Sequence, residues 1–140
     1  MKQILVVTVL LFLMFAASGG EAASAQASRR LTAMPKAFQV FYGKFRKAVV
    51  TGDKSTVASL TRFPFDYGYD AGDEGTYSRA QFLKNFKEVF GTDRRLFART
   101  NPAFRVNGAS YDLEDNSDAS HYIFEKKGAR YQFTAYIVEP

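Results

Sequence analysis

Fourteen phenylalanines and eight tyrosines are spread along 140 residues that contain no cysteine and no tryptophan. That combination is the tightest constraint on the fold. Nothing can be stapled by disulfides, so stability must come from burying large side chains, and aromatic rings bury roughly 150–250 Å² each. The missing thiols also exclude a lipidated-cysteine anchor, a thiolate metal site and a cysteine nucleophile.

The first stretch reads as an address rather than as part of that core. Lys2 gives a basic start, and Ile4 to Ala17 is an apolar and small-residue run broken only by Thr8. At about fourteen residues it is shorter than the roughly twenty needed to span a bilayer. Ala23-Ser24-Ala25 and Ala25-Gln26-Ala27 both fit the small-x-small cleavage pattern of a secretory signal. Residues 1–25 are therefore expected to be a signal peptide, 26–34 a flexible lead, and 35–140 a single α+β domain. The expected location is periplasmic or extracellular, and an exported protein without disulfides suits a bacterium. The net charge of +5 favours solubility and mild attraction to anionic surfaces.

Helical spacing is clear at two places. Beyond Pro35, a suitable first helical residue, Phe38, Phe41, Tyr42, Phe45, Ala48 and Val49 recur on one face. Gly52 should close that helix and Asp53 should cap the next, which carries Val57, Leu60 and Thr61 and ends before Pro64. Further on, Ser78 and Gln81 form a capping box, and Tyr77 and Phe82 stand at the positions of a hydrophobic staple. Phe82, Leu83, Phe86, Val89 and Phe90 follow as one stripe that Gly91 terminates. Arg94 to Arg99 fits a further helical turn or an extended segment.

Elsewhere the pattern is extended. Phe63-Pro64-Phe65 opens a strand that runs through Asp66 to Thr76, with a loop around Ala71 to Gly75. Phe104 to Leu113 is strand-like, and its Asn107-Gly108 is either a hairpin turn or a bulge. After a polar turn at Glu114 to Asp118, Ser120 to Glu125 and Arg130 to Val138 form a hairpin around Lys126-Lys127-Gly128. Strict alternation would put Tyr131, Phe133, Ala135 and Ile137 on an oily face with Tyr122 and Phe124, and His121, Ile123 and Tyr136 on the opposite one.

This element order resembles the nuclear transport factor 2-like superfamily, which includes the ketosteroid isomerase-like proteins. Three stretches carry the likeness to small secreted bacterial members without an assigned role: Phe41-Tyr42-Gly43-Lys44-Phe45-Arg46-Lys47-Ala48-Val49, Leu60-Thr61-Arg62-Phe63-Pro64, and Ser78-Arg79-Ala80-Gln81-Phe82-Leu83. The resemblance implies a cone, in which a bent mixed or antiparallel sheet packs on about three N-terminal helices. It also implies a ligand pocket at the closed end. It carries over no catalytic residue, because the superfamily spans isomerases, dehydratases, hydrolases and many non-enzymes.

Candidate sites are few. Asp66, Asp70, Asp73 and Glu74 crowd one segment with Tyr67 and Tyr69, and a carboxylate in an apolar pocket beside a phenol can move protons. Turn chemistry explains the same residues. His121, the sole histidine, is expected at the surface. Asp112, Glu114, Asn116 and Asp118 alternate like the start of a calcium loop, but Ser117 stands where that loop needs glycine and Ile123 where it needs glutamate. Arg94, Arg95, Arg99 and Arg105 with Lys84 and Lys87 give a basic patch without a nucleic-acid module. A pocket for an apolar ligand would be floored by Phe45, Val49, Phe86, Phe133 and Ile137.

The expected function is non-catalytic binding of a small apolar ligand or an envelope partner, with no nucleic acid, metal or cofactor. The alternative is a cofactor-free isomerase or dehydratase using Asp66 or Asp70 with Tyr67, Tyr69 or Tyr136. A homodimer through the outer sheet face, around Ile123, Tyr136 and Val138, is a third expectation.

Overall fold

A computed structural model describes residues 27–69, 72–92 and 94–140. The expected signal segment, Asp70 and Ala71 lie outside the described residues. Among the described residues, seven strands make one open sheet in the order β1-β4-β5-β6-β7-β2-β3: β1 (Ala27–Arg30), β2 (Thr61–Tyr69), β3 (Asp73–Tyr77), β4 (Ala103–Asn107), β5 (Ser110–Asp115), β6 (Ser120–Lys127) and β7 (Arg130–Val138). Neighbours are antiparallel except β2 and β7, which are parallel. Five α-helices among the described residues cover one face: α1 (Lys36–Thr51), α2 (Lys54–Ser59), α3 (Arg79–Lys84), α4 (Phe86–Phe90) and α5 (Arg95–Ala98). The class is α+β.

Helix α1 buries the six residues its spacing predicts, Phe38, Phe41, Tyr42, Phe45, Ala48 and Val49. They meet the aromatic residues of the sheet. Phe38 packs edge-on to Phe104 at 5.1 Å and Phe45 edge-on to Phe124 at 5.1 Å. Gly52 ends α1 at φ 73°, a conformation that favours glycine, and its N–H reaches the carbonyls of Ala48 and Val49. Arg94 Nη1 donates to the Val49 carbonyl at 2.8 Å, so a side chain from a distant loop completes the same helix end. Pro35 sits at the N-cap, one position before the expected first turn.

Asp53 caps α2, accepting from Thr56 N at 3.1 Å and Thr56 Oγ1 at 2.6 Å. The helix stops at Ser59 rather than running through Thr61. Phe133 N donates to the Leu60 carbonyl at 2.9 Å, which draws the chain into the sheet, and Thr61 opens β2 with its hydroxyl turned back to the Val57 carbonyl at 2.7 Å.

Both halves of the capping box form: Gln81 N donates to Ser78 Oγ and Ser78 N to Gln81 Oε1. The single helix expected from Ser78 to Gly91 is instead split at Asn85, which has φ −96° and ψ 17°. Its side chain donates to the Gln81 carbonyl at 2.8 Å, the local competition with backbone that makes asparagine a poor interior residue. Phe82, Phe86, Val89 and Phe90 stay buried across the break.

Two further expectations are corrected, and one alternative left open is decided. The stretch read as a flexible lead holds β1, paired with β4 from Ala27 with Val106 to Arg30 with Ala103, and buries Leu31 and Met34. Asp73, Glu74 and Gly75, read as loop, belong to β3 and pair with β2. Asn107-Gly108 lies at a hairpin whose two-residue turn is Gly108-Ala109, since Asn107 pairs with Ser110; Gly108 at φ 58° supplies the left-handed conformation.

The most consequential correction concerns β7. Tyr122 pairs with Tyr136 and Ile123 with Ala135, but Phe124 pairs with Phe133. Thr134 is therefore an extra residue, a bulge, and one extra residue reverses the facing of all that follows. Tyr136 joins Phe133 on the helix side, packing on Tyr122 at 4.9 Å. Ile137 turns to the outer face, opposite His121.

Truncating Phe45, buried among Phe90, Phe97, Phe124 and Phe133, removes the centre of this packing. Phe45→Ala is expected to lower unfolding free energy by about 3–5 kcal/mol in urea titration. Gly52→Ala should cost about 1 kcal/mol or more in the same assay, because alanine is strained at positive φ.

Candidate functional site

A hollow of about 570 Å³ opens where α4 and α5 approach the β5–β6 turn. Four aromatic residues, Phe90, Phe97, Tyr122 and Tyr136, are among its lining, and all four are buried. Tyr122 lies 4.9 Å from Phe97, edge-on, and 6.0 Å from Phe90, stacked at 12°. Tyr136 joins them because the bulge at Thr134 brings it round. The Tyr122 hydroxyl donates to the Val89 carbonyl at 3.0 Å, tying β6 to α4 and fixing the ring.

The walls carry charge. Lys87 and Glu88 come from α4, Arg95 from α5, and Arg99 from the residue after it. The end of β5 and the turn after it contribute Asp115 and Asp118. Each is set by a serine two residues on: Ser117 N and Oγ donate to Asp115 Oδ1 at 3.0 and 2.7 Å, while Ser120 N donates to Asp118 Oδ1 at 3.1 Å and the Ser120 hydroxyl donates to the same oxygen. Both carboxylates are thus held by neutral donors.

Burial is the main reason that the hydroxyl of Tyr122 titrates well above the ordinary tyrosine value; the Tyr136 hydroxyl and the carboxylates of Asp118 and Asp115 add to it, against a hydrogen bond to Ser120. Tyr136 is raised by burial first and then by Asp118. Next to it, Tyr69 packs on Tyr136 at 5.9 Å and its hydroxyl meets that of Tyr77 at 3.2 Å. Tyr69 is also raised, by burial and then by that hydrogen bond. Tyr67 stacks on Tyr77 at 4.2 Å, so phenol rings run from the β2–β3 hairpin to the pocket floor.

The residues singled out in the sequence are placed as follows. Asp66 sits on the other face from Tyr67 and Tyr69. Its carboxylate accepts from Arg62 at 2.8 Å and its side chain is 50% exposed, with Arg62 also reaching Glu125 at 3.2 Å. The grouping of Asp66 with the tyrosines is therefore not formed, and Asp73 and Glu74 are exposed on β3. Phe45, Val49, Phe86 and Phe133 are fully buried in the core and line none of the hollows described. Ile137 lies on the outer face. Tyr136, assigned by alternation to that outer face, is 6% exposed within.

His121 is on the outer face but is buried, at 5% exposure, which corrects the expectation of a surface histidine. Its Nδ1 lies 2.8 Å from Asp112 Oδ2, and Nε2 lies 3.5 Å from Glu139 Oε1. The calcium-like row separates accordingly, with Asp112 given to His121, Glu114 to Arg105 at 2.6 Å, and Asp118 to the pocket rim. The basic patch also divides: Arg94 caps α1, whereas Lys87, Arg95 and Arg99 line the pocket. The residues overlooked in the sequence are Asp115 and Tyr122. The repeated Asp-x-Ser of Asp115-Asn116-Ser117 and Asp118-Ala119-Ser120 was the available signal for a pinned acidic turn.

No family model matches this chain, and no curated protein matches it. Solved structures do. An NTF-2 like protein of unknown function from Silicibacter pomeroyi DSS-3 aligns with a TM-score of 0.44 and 15% identity, over 74% of this chain and 92% of that one. An LEH-like epoxide hydrolase from M. tuberculosis aligns with a TM-score of 0.44 and 11% identity, over 76% of this chain and 82% of that one. An open sheet with helices on one face matches the cone that the sequence resemblance implies.

A phenol whose folded value is raised stabilises the fold below its unfolded value, near pH 10, and that contribution is lost as pH climbs through the folded value. An ultraviolet titration of phenolate is expected to stay incomplete at about pH 11, with the remaining tyrosines ionising together as the chain unfolds. Ionisation of all eight tyrosines near the ordinary value in a folded protein would contradict the packed tyrosine row.

Proposed function

We propose that this chain is an exported, non-catalytic binding domain that holds a small molecule in the hollow over Tyr122 and Tyr136. One observation carries this: a hollow of about 570 Å³, within the range of small-molecule sites, gathers the charged groups of Lys87, Glu88, Arg95, Arg99, Asp115 and Asp118 beside Tyr122 and Tyr136. The ligand expected from the sequence was apolar. The charged walls favour one that is apolar on one side and polar on the other. An envelope protein could present such a group as part of a larger surface.

Amide chemical-shift mapping of the folded chain against a library of small aromatic and aliphatic compounds tests the site. Shifts are expected at Gly91, Thr92 and Ser117 around the pocket mouth, and Tyr136→Ala should weaken the hits by about tenfold or more. Shifts confined to other parts of the sheet would overturn the assignment.

A second reading, cofactor-free proton transfer, is favoured by Asp118 lining one hollow with Tyr122 and Tyr136. In that reading Asp118, rather than Asp66, would be the base, with a tyrosine as hydrogen-bond donor. Substrate turnover that Asp118→Asn abolishes without loss of folding would establish catalysis and displace the binding reading.

Export rests on the Ile4 to Ala17 run and its two cleavage patterns. Of these, cleavage after Ala25 keeps all of β1, whereas cleavage after Ala27 removes the residue paired with Val106. N-terminal sequencing of the secreted product is expected to start at Gln26. Retention of residues 1–25 in the folded product would remove export from the proposal.

A further inference from the structure

The outer face of the sheet carries a titratable group that the pocket reading leaves unused. His121, on β6, is 5% exposed, and its ring lies between two carboxylates. Nδ1 is 2.8 Å from Asp112 Oδ2 on β5, and Nε2 is 3.5 Å from Glu139 Oε1 in the segment after β7. On the same face stand Glu114, directly opposite His121 on β5, and Arg105 of β4, bonded to Glu114 at 2.6 Å. β7 meets the ring with Ile137, which does not titrate. Since Arg105 matches Glu114, the carboxylates left to the imidazole are Asp112 and Glu139. His121 Nε2 and Asp112 Oδ1 are buried atoms without a hydrogen-bond partner among the described residues, an unfavourable state that calls for an explanation.

The protonation state of the ring supplies one. With a proton on each nitrogen, imidazole donates from both, to Asp112 through Nδ1 and to Glu139 through Nε2. With one proton, held on Nδ1 by Asp112, Nε2 presents its lone pair to the Glu139 carboxylate. Two acceptors then face one another, and Glu139, whose side chain is 65% exposed, is the one free to turn toward water. Glu139 has a second tie. Its N–H donates to the Ala119 carbonyl at 3.0 Å. Ala119 has φ 54°, alone at positive φ among the described non-glycine residues, and such a conformation persists where surrounding contacts hold it. It lies in the turn between β5 and β6, whose Ser117 and Asp118 line the hollow.

We propose that a proton on His121 acts as a clasp. It holds Glu139 against the outer face of the sheet and, through the bond from Glu139 to Ala119, steadies the turn that borders the hollow. Loss of the proton lets the Glu139 side chain swing to solvent and loosens both. The clasp is therefore closed on the acid side of the imidazole transition and opens as pH rises through it. It stands whether or not the hollow takes a ligand.

Nuclear magnetic resonance on the folded chain tests the clasp, and the ring signals are unambiguous because His121 is the sole histidine. The imidazole is titrated between about pH 5 and pH 8. Exchange protection of backbone amides is measured at each pH, relative to an unstructured chain at that pH. Protection of the Glu139 amide is expected to fall about threefold or more across the imidazole transition. The Ser120 amide, bonded to Asp118, should follow it, whereas the Lys126 amide, bonded to the Ala109 carbonyl at the far end of β6, should not. Glu139→Gln puts a carboxamide at the position, which accepts from a protonated Nε2 and donates to an unprotonated one, so the pH dependence should disappear. His121→Gln should remove it too, and Glu139→Gln, at an exposed side chain, keeps the test in force if His121→Gln is unfolded. Protection at Glu139 that is flat across the transition, or that keeps its pH dependence in Glu139→Gln, overturns the clasp. So does an imidazole that holds one state throughout that range in the folded chain. A response at Glu139 with none at Ser120 supports the clasp and overturns its link to the turn.

Discussion

Everything in this fold leans on the contact between the aromatic stripe of α1 and the inner face of the sheet. Phe124, on β6, is its meeting point. Six rings surround it, from Phe38, Phe41, Tyr42, Phe45, Phe104 and Phe133, at centroid separations of 5.1 to 6.2 Å. Four of these come from the helix and two from the sheet, so one side chain fixes how the two layers sit. Without disulfides, the relative position of helix and sheet is set by ring packing, where aromatic pairs add about 0.5–1.5 kcal/mol beyond the area they bury. The pocket walls inherit that precision. Phe45 touches Phe90 and Phe97, and through those two rings α1 positions α4 and α5, which carry the basic side of the site.

What was legible in the sequence was local. The spacing of Phe38, Phe41, Tyr42, Phe45, Ala48 and Val49 lies within one helix, and the Ser78–Gln81 box within one turn, so each can be read without knowing what packs on it. Gly52 and Asp53 announce a helix end and a cap for the same reason. Illegible were the features decided by partners far along the chain. Thr61 leaves its helix because Leu60 gives its carbonyl to Phe133. Ala27–Arg30 is a strand because β4 offers an edge. His121 is buried because Asp112, Ile137 and Glu139 come from the strands and segment beside it.

The site was half legible on the same grounds. Tyr69 and Tyr136 stood out as phenols available to a pocket, and Asp118 as part of an acidic row. Their grouping depended on sheet phase, which alternation alone misassigned. A rule of strict alternation places Phe133 and Ile137 together and sends Tyr136 outward. It fails at a single residue, Thr134, whose neighbours in sequence give no glycine or proline to mark a bulge.

That bulge decides what kind of hollow the protein has. With regular pairing, Ile137 would point inward and the floor would be aliphatic, in keeping with an apolar cavity filled by its own side chains. With Thr134 inserted, a phenol replaces the isoleucine, and its hydroxyl lies where Asp118 and Ser120 act on it electrostatically and by hydrogen bonding. The disturbance to the ladder is contained, because Thr134 Oγ1 donates to the Ile123 carbonyl at 3.2 Å and Thr134 itself is 1% exposed, so the polar group is buried with a partner. One extra residue in a strand thus exchanges an oily end of the core for a polar-mouthed site, while Phe133, immediately before it, keeps its place in the ring packing that holds the fold.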